Sequence, residues 1–134
     1  MVTSPAPDQP ARGPRILVVD DNVDAAETMV MMLQLNGHET SSAHDGPKAL
    51  AEAEAFRPDL VFLDIGLPGM SGYEVARQFR ASPTLRAAQL VALTGWGTED
   101  DKRKCMEAGF DLHLTKPVDP QDVDAVVAAW RPAE

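Results

Sequence analysis

Short apolar runs alternate with amphipathic stretches along most of this chain of 134 residues. Three runs, at residues 16–19, 60–63 and 90–93, are continuously apolar, which is typical of strands that are buried on both faces of a sheet. Two weaker runs, at 38–43 and 110–115, predict strands with more exposure. The pattern therefore predicts five strands.

Helical signals follow every predicted strand. Asp45, Ser71 and Thr98 each precede an amphipathic stretch and are predicted to cap a helix. Gly37 and Gly109 stand where left-handed residues commonly end helices, and a last helix is predicted over 119–130. Five strand–helix units with short connections indicate an α/β fold in which helices cover both faces of a parallel sheet. The alternation alone does not determine the order of the strands.

Composition limits the alternatives. Residues 1–14 hold four of the eleven prolines and are predicted to form a flexible leader or linker, followed by one domain over 15–131. The longest apolar run, 125–130, is far too short to span a membrane, and no secretory signal is visible. With 12 basic against 21 acidic residues and a net charge of -9, we expect a cytoplasmic domain that binds neither nucleic acid nor a membrane.

Polar side chains follow the predicted strands at the points where those strands end: Asp20, Asp21, Asp64, Thr94 and Lys116. In an open α/β sheet these carboxyl ends meet at one edge. Three carboxylates held together repel one another, and Mg²⁺ would relieve the repulsion because it prefers oxygen ligands. A carboxylate, a metal, a hydroxyl and an ammonium group around one point are suited to phosphoryl transfer. Each residue taken singly could also be a helix cap or a turn residue, so the argument depends on their joint placement.

Four segments carry a family resemblance. They are Ile-Leu-Val-Val-Asp-Asp-Asn at 16–22, Leu-Asp-Ile-Gly-Leu-Pro-Gly-Met-Ser-Gly at 63–72, Ala-Leu-Thr-Gly at 92–95 and Lys-Pro at 116–117. In this order and on these elements, they resemble the receiver domain of response regulators in two-component signalling. The resemblance covers residue 15 to about 131. It implies a flavodoxin-like, doubly wound (βα)5 sandwich with the strand order 2-1-3-4-5 and a cis bond before Pro117.

The resemblance also implies the chemistry of the site. Asp64 would accept a phosphoryl group from a histidine kinase or a histidine phosphotransfer protein. Asp21, Asp20, Asp64 and the backbone carbonyl of Gly66 would hold Mg²⁺, or Mn²⁺ in its place. Thr94 and Lys116 would contact the phosphoryl oxygens.

Phosphorylation is expected to change the surface formed by residues 98–131, where a downstream protein partner would bind. Thr94 would move toward the phosphoryl group, and His113 stands where the family usually has an aromatic switch residue. His113 is equally compatible with an ordinary solvent-facing strand position. Gly66 and Trp96 occupy positions that the family uses to tune the phosphoryl lifetime, and Trp96 is expected to shield the acyl phosphate.

Two other functions are compatible with parts of the pattern. A phosphatase of the haloacid dehalogenase type has a similar aspartate, threonine and lysine set, but it carries a second aspartate two residues after the nucleophile, where this chain has Gly66. A receiver-like binding module would be expected to lack one of the site residues.

The domain could be a stand-alone protein, which we favour, or part of a hybrid histidine kinase. Trp130 could pack the last helix against the domain or belong to a surface that binds a partner.

Overall fold

The computed structural model describes residues 13–95 and 98–132. Five parallel strands form one sheet in the order β2-β1-β3-β4-β5. The strands are β1 (Ile16–Val19), β2 (Thr40–Ala43), β3 (Leu60–Asp64), β4 (Gln89–Thr94) and β5 (Leu112–Thr115). The helices are α1 (Val23–Leu35), α2 (Gly46–Phe56), α3 (Gly72–Ala81), α4 (Glu99–Ala108) and α5 (Pro120–Ala129). The α/β class and the strand order 2-1-3-4-5 are confirmed.

Two strands begin later than the apolar pattern predicts. The prediction begins at residue 38 for β2 and at residue 110 for β5, whereas these strands begin at Thr40 and Leu112. The reason is the same at both places, because the backbone N–H at the predicted start closes the preceding helix. His38 N donates to Leu33 O at 3.1 Å, and Phe110 N donates to Cys105 O at 3.0 Å. These hydrogen bonds satisfy carbonyls in the last turn of the helix, as a Schellman-type end does.

The core lies in two layers, one on each face of the sheet. Alternate strand residues point to opposite faces, so Leu17 and Val19 pack under α2, α3 and α4, whereas Ile16 and Val18 pack under α1 and α5. Phe79 of α3 and Phe62 of β3 are the largest fully buried side chains of the two layers. Burial on both faces explains why the central strands read as continuous apolar runs.

Side-chain caps begin all five helices. The oxygens of Asn22, Asp45, Ser71, Thr98 and Asp119 accept backbone N–H groups from the first turns, which satisfies donors that the helix cannot pair internally. The predicted caps are therefore confirmed, and Gly37 and Gly109 have the expected positive φ angles of 88° and 108°. The loops between strand and helix at the carboxyl edge are two to four residues long, except for the seven-residue loop between Asp64 and Gly72. No helix in residues 13–95 and 98–132 is long and apolar enough to cross a bilayer.

Candidate functional site

Three carboxylates converge at the carboxyl edge of the sheet. Asp20 and Asp21 follow β1, and Asp64 is the last residue of the neighbouring strand β3. One oxygen from each residue lies within 4.8 Å of the others. Asp20 and Asp64 are buried, whereas Asp21 is exposed to solvent.

Lys116 places a positive charge beside these carboxylates. It follows β5, the edge strand of the sheet. Its Nζ donates to Asp64 Oδ2 at 2.9 Å and lies 3.5 Å from Asp20 Oδ2. The backbone N of Lys116 donates to Thr94 O at 2.6 Å, which extends the pairing of β4 with β5 by one residue. The bond between Lys116 and Pro117 is cis, the isomer that the resemblance implies.

The loop after β3 fixes the carboxylate of Asp64 from its other side. Gly66 N donates to Asp64 Oδ1 at 2.9 Å, so each of the two oxygens has its own donor. The loop closes where Gly72 N donates to Ile65 O at 3.1 Å. A Cβ atom at position 72 would lie 2.5 Å from Asp64 O and from Ile65 Cα, so only glycine allows α3 to begin this close to the end of β3.

The pKa values of Asp20 and Lys116 are both raised, which favours the neutral form of the acid and the charged form of the amine. Burial is the main cause that raises the pKa of Asp20, and the negative charge of Asp64 raises it further, although the Asn22 N–H and Lys116 oppose this. Burial by itself lowers the pKa of Lys116, but the hydrogen bond to Asp64 and the charges of Asp64 and Asp20 outweigh it, so the pKa is raised. Lys116 is therefore held as a cation, while Asp20 carries an unfavourable negative charge.

The site fits a hard divalent cation by its donor chemistry. Three carboxylates with oxygens this close together repel, and one ammonium group does not neutralise them. A cation of charge +2 would offset the excess and would find the oxygen ligands that Mg²⁺ prefers. The open side at Asp21 leaves space for the water ligands that Mg²⁺ usually keeps.

The other predicted site residues lie at different distances from the carboxylate cluster and differ in burial. Thr94 is buried at the end of β4, one residue after Leu93, which is the register partner of Asp64 in β3. Gly66 is exposed, and a Cβ atom added there would lie 3.5 Å from Asp64 Oδ1, so a side chain at this position would stand beside the carboxylate. His113 is half-buried in β5, in register with Ala92 and not with Thr94. Trp96 lies outside the described residues.

Two contacts at the site were not predicted from the sequence. Asn22 N donates to Asp20 Oδ1 at 3.0 Å while its side chain caps α1; the Asp-Asp-Asn order is a signal for such a turn. The ring nitrogen Nδ1 of His44 lies 3.0 Å from Asp20 O. Nothing in the sequence indicates that contact, because it depends on how β2 ends beside β1.

An open groove adjoins the site between α1 and the segment that links β5 to α5. It has a volume of about 680 Å³, and Asp20 and Lys116 form one end of its wall. Its lining is mostly apolar and includes Met29, Met32 and Val123. The groove therefore opens beside Asp20 and Lys116, at the edge of the carboxylate cluster.

Comparisons with known proteins agree on one family. The profile described as the response regulator receiver domain matches residues 16–128. The chain is 37% identical over 115 residues to the alkaline phosphatase synthesis transcriptional regulatory protein PhoP of Bacillus subtilis, covering 86% of this chain and 47% of PhoP. It spans about half or less of the length of the curated relatives it matches.

Solved structures match over nearly the whole domain. The chemotaxis protein CheY4 of Vibrio cholerae has a TM-score of 0.82 and 27% identity, covering 88% of this chain and 98% of CheY4. The receiver domain of the sensor histidine kinase PA1611 from Pseudomonas aeruginosa, with a magnesium ion in its active site cleft, has a TM-score of 0.79 and 30% identity, covering 88% and 97%. The receiver domain of Ssk1 from Saccharomyces cerevisiae, solved with the histidine phosphotransfer protein Ypd1, has a TM-score of 0.80 and 28% identity, covering 88% and 90%.

These matches do not favour a phosphatase or a phosphorylation-independent binding module. Receiver domains are phosphoacceptors and not enzymes with a separate catalytic role, they bind Mg²⁺ at an acidic pocket, and they interact with histidine kinases or phosphotransfer proteins. The acidic cluster, the lysine and the strand order found in this chain agree with that assignment. The chain belongs to the response regulator receiver domain family of two-component signalling.

Proposed function

We propose that Asp64 is the residue that accepts the phosphoryl group. The observation that carries this proposal is the double contact on its carboxylate, from Lys116 Nζ to Oδ2 and from Gly66 N to Oδ1. Attack by a carboxylate oxygen on a phosphohistidine forms a P–O bond and breaks the P–N bond, with the electron pair leaving on the imidazole nitrogen. The product is an acyl phosphate, whose oxygens carry negative charge beside a lysine held as a cation.

The metal ligands are proposed from the cluster geometry. Asp21, Asp20 and Asp64, together with the backbone carbonyl of Gly66, would hold Mg²⁺, and Mn²⁺ would serve in its place because it takes the same oxygen ligands. When bound, the ion supplies positive charge that offsets the charge on the transferring group. Asp21 is the exposed member of the set and can therefore reach an incoming ion first.

Thr94 and His113 are proposed to respond to the phosphorylated state, and Gly66 and Trp96 are proposed to set its lifetime. The buried Thr94 hydroxyl lies on the strand adjacent to Asp64 and would turn toward a phosphoryl oxygen. His113 lies on the neighbouring strand, half-buried, and would follow Thr94 inward. The exposed Gly66 has no side chain with which to orient a hydrolytic water, and Trp96 would shield the acyl phosphate, so we expect a moderately long-lived phosphoryl group.

The proposed partners are a phosphodonor and a downstream protein. The phosphodonor, a histidine kinase or a histidine phosphotransfer protein, would approach over the apolar groove beside Asp20 and Lys116. The downstream protein would bind the surface formed by residues 98–131, which includes α4, β5 and α5. We place this exchange in the cytoplasm. We infer that the domain promotes its own aspartyl phosphorylation and dephosphorylation, and that any kinase activity would lie in a separate protein or domain.

One assay tests the proposal. The protein is incubated with acetyl phosphate and Mg²⁺ and its intact mass is measured; we expect a gain of one phosphoryl group that is absent in Asp64→Asn. Asp24→Asn is the matched control, because Asp24 is an exposed carboxylate in the first turn of α1 and outside the cluster. An adduct that persists in Asp64→Asn would overturn the assignment. Release of phosphate without an adduct would indicate a phosphatase, and no reaction would indicate a binding module.

A further inference from the structure

A second groove lies at the end of the sheet opposite the acidic site. It has a volume of about 510 Å³ and is lined by Arg80, Arg86, Arg131, Asp111 and Trp130, among others. Arg86 precedes β4, Asp111 precedes β5, and Arg131 follows α5, so the groove lies at the amino ends of the strands. We call it the arginine groove. A ligand bound there would not compete with a phosphodonor at the carboxyl edge.

The charge of the arginine groove is opposite to that of the protein. The chain carries a net charge of -9, yet three arginines and one aspartate line this groove. Asp111 is already paired with Arg80, with the nearest atoms 2.8 Å apart. Among the cations in residues 13–95 and 98–132, only Lys48, Arg86 and Arg131 form no ion pair with a described carboxylate. Two of these three line the arginine groove.

The fold fixes the backbone of Arg86 and the guanidinium group of Arg131. Arg80 Nη1 donates to the carbonyls of Arg86 and Ala88, each at 2.7 Å, and Arg86 N donates to Ser82 O at 3.0 Å. The backbone of Arg86 is thus fixed on both sides. Arg131 Nη1 donates to Ala128 O at 3.0 Å and to Trp130 O at 2.7 Å, which keeps its guanidinium beside the end of α5. The guanidinium of Arg131 is thus ordered before binding and loses less conformational entropy when a ligand arrives, whereas the side chain of Arg86 is exposed.

Trp130 provides an apolar surface next to these cations. It is half-buried and packs against the core under α1 and α5. It also lines a second cavity, of about 450 Å³, together with Pro14, Val127 and Ala128. The two cavities share Trp130 and Arg131, so an extended ligand in the arginine groove would also reach the indole. Asp124 lines the second cavity as well, so the acidic part of a ligand would lie in the arginine groove, away from that carboxylate.

We propose that the arginine groove binds an acidic segment of a partner protein, with carboxylates on Arg86 and Arg131 and an apolar residue against Trp130. Guanidinium groups match carboxylates in bidentate hydrogen bonds, and an indole offers a large apolar contact. The surface favours a short acidic segment over a nucleic acid. A nucleic acid needs many cationic contacts along its backbone, and the remainder of this acidic protein would repel it.

Fluorescence anisotropy tests this surface on the full chain. The probe is a dye-labelled peptide of six glutamates with one central leucine, titrated at low ionic strength. We expect saturable binding that weakens by about fivefold or more in the Arg86→Gln/Arg131→Gln double variant. Lys48→Glu is the control, because it changes the net charge by the same two units at an exposed, unpaired lysine on α2. The control variant is expected to bind the peptide about as well as the parent protein.

Phosphorylation by acetyl phosphate is measured in parallel and is expected to be unchanged in both variants, which shows that they are folded and keeps this test independent of the proposed role of Asp64. The proposal is overturned if the parent protein shows no saturable peptide binding, if Lys48→Glu weakens binding as much as the double variant, or if a labelled RNA oligomer of equal charge binds more tightly than the peptide.

Discussion

Lys116 Nζ lies 2.9 Å from Asp64 Oδ2, across a separation of 52 residues in the sequence. The contact joins the loop after the edge strand β5 to the end of the strand β3, with β4 between them. It places one cation against two buried carboxylates, since Asp20 Oδ2 is 3.5 Å from the same nitrogen. The charge of Lys116 therefore affects both the affinity for a metal ion and the rate of phosphoryl transfer, and the two effects can be measured separately.

Removing the charge of Lys116 is expected to strengthen Mg²⁺ binding while it weakens phosphorylation. In Lys116→Met the ion no longer competes with an ammonium group for Asp64 and Asp20, and Coulombic repulsion of the ion is removed, so we expect Mg²⁺ to bind roughly threefold to tenfold more tightly. The rate of phosphorylation by acetyl phosphate should fall at saturating Mg²⁺, because the developing charge loses its partner. Isothermal titration and intact-mass time courses measure the two effects, with Lys48→Met as the control. Weaker Mg²⁺ binding in Lys116→Met would contradict this view of the site.

Magnesium is expected to stabilise the folded protein through Asp21. A ligand that binds only the folded state adds about 2.7 kcal/mol to the free energy of unfolding at a hundred times its dissociation constant. Urea denaturation with and without Mg²⁺ should show such an increase in the parent protein and in Asp24→Asn, and most of it should be lost in Asp21→Asn. An equal increase in all three proteins would indicate that the ion acts elsewhere.

Gly72 is expected to tolerate no side chain. In Gly72→Ala the new Cβ would lie 2.5 Å from the carbonyl oxygen of Asp64 and from Ile65 Cα, both of which are backbone atoms that cannot turn away. We expect a loss of about 2–3 kcal/mol in the free energy of unfolding. Gly66→Ala is the matched control in the same loop, since its Cβ would make an ordinary contact 3.5 Å from Asp64 Oδ1. A similar loss in both variants would show that the close approach at position 72 is not the cause.

Stability is expected to fall in mild alkali because of Cys105. Burial raises the pKa of this thiol, and the nearby Asp101 adds to the effect, although a hydrogen bond with Tyr73 opposes it. The folded state therefore keeps the thiol proton at a pH where the unfolded chain, with a thiol pKa of about 8.5, has lost it. The unfolded state is favoured as pH rises above that value.

The melting temperature of the parent protein should decline between about pH 8 and pH 10, and the decline should be shallower in Cys105→Ala. The raised pKa of Lys116 does not interfere in this range. Its contribution to stability is lost only as the pH rises through the folded pKa, which lies above 10.5. A slope that is unchanged in Cys105→Ala would rule out the thiol as the cause.

Much of the site could be predicted because its residues follow strands. Asp20, Asp64, Thr94 and Lys116 interrupt apolar runs at their ends, and parallel strands bring such positions to one edge. That argument does not say which carboxylate Lys116 contacts. Lys116 Nζ lies closer to Asp64 Oδ2, at 2.9 Å, than to Asp20 Oδ2, at 3.5 Å. This difference depends on the strand order and on the direction of the chain after Lys116, which together determine where the loop after β5 lies relative to β3.

The arginine groove could not be predicted in the same way. Arg86, Arg131 and Trp130 come from loops and a helix end whose sequences show no shared pattern. Each arginine is ordinary in its local context, and only the packing of α5 across the sheet brings the two together. Arg80 also donates hydrogen bonds to the carbonyls of Arg86 and Ala88. No sequence pattern in these two segments predicts that contact.

The sequence by itself determined the number and kind of elements, the helix caps and the set of polar residues at the carboxyl edge. These features depend on apolar periodicity and on short-range hydrogen bonds, which are local properties of the chain. Only the tertiary structure decided the pairing of Lys116 with Asp64, the need for glycine at position 72 and the convergence of Arg86 and Arg131. Each of these depends on distances between segments that are far apart in the chain, and those distances are determined by how the helices pack on the twisted sheet.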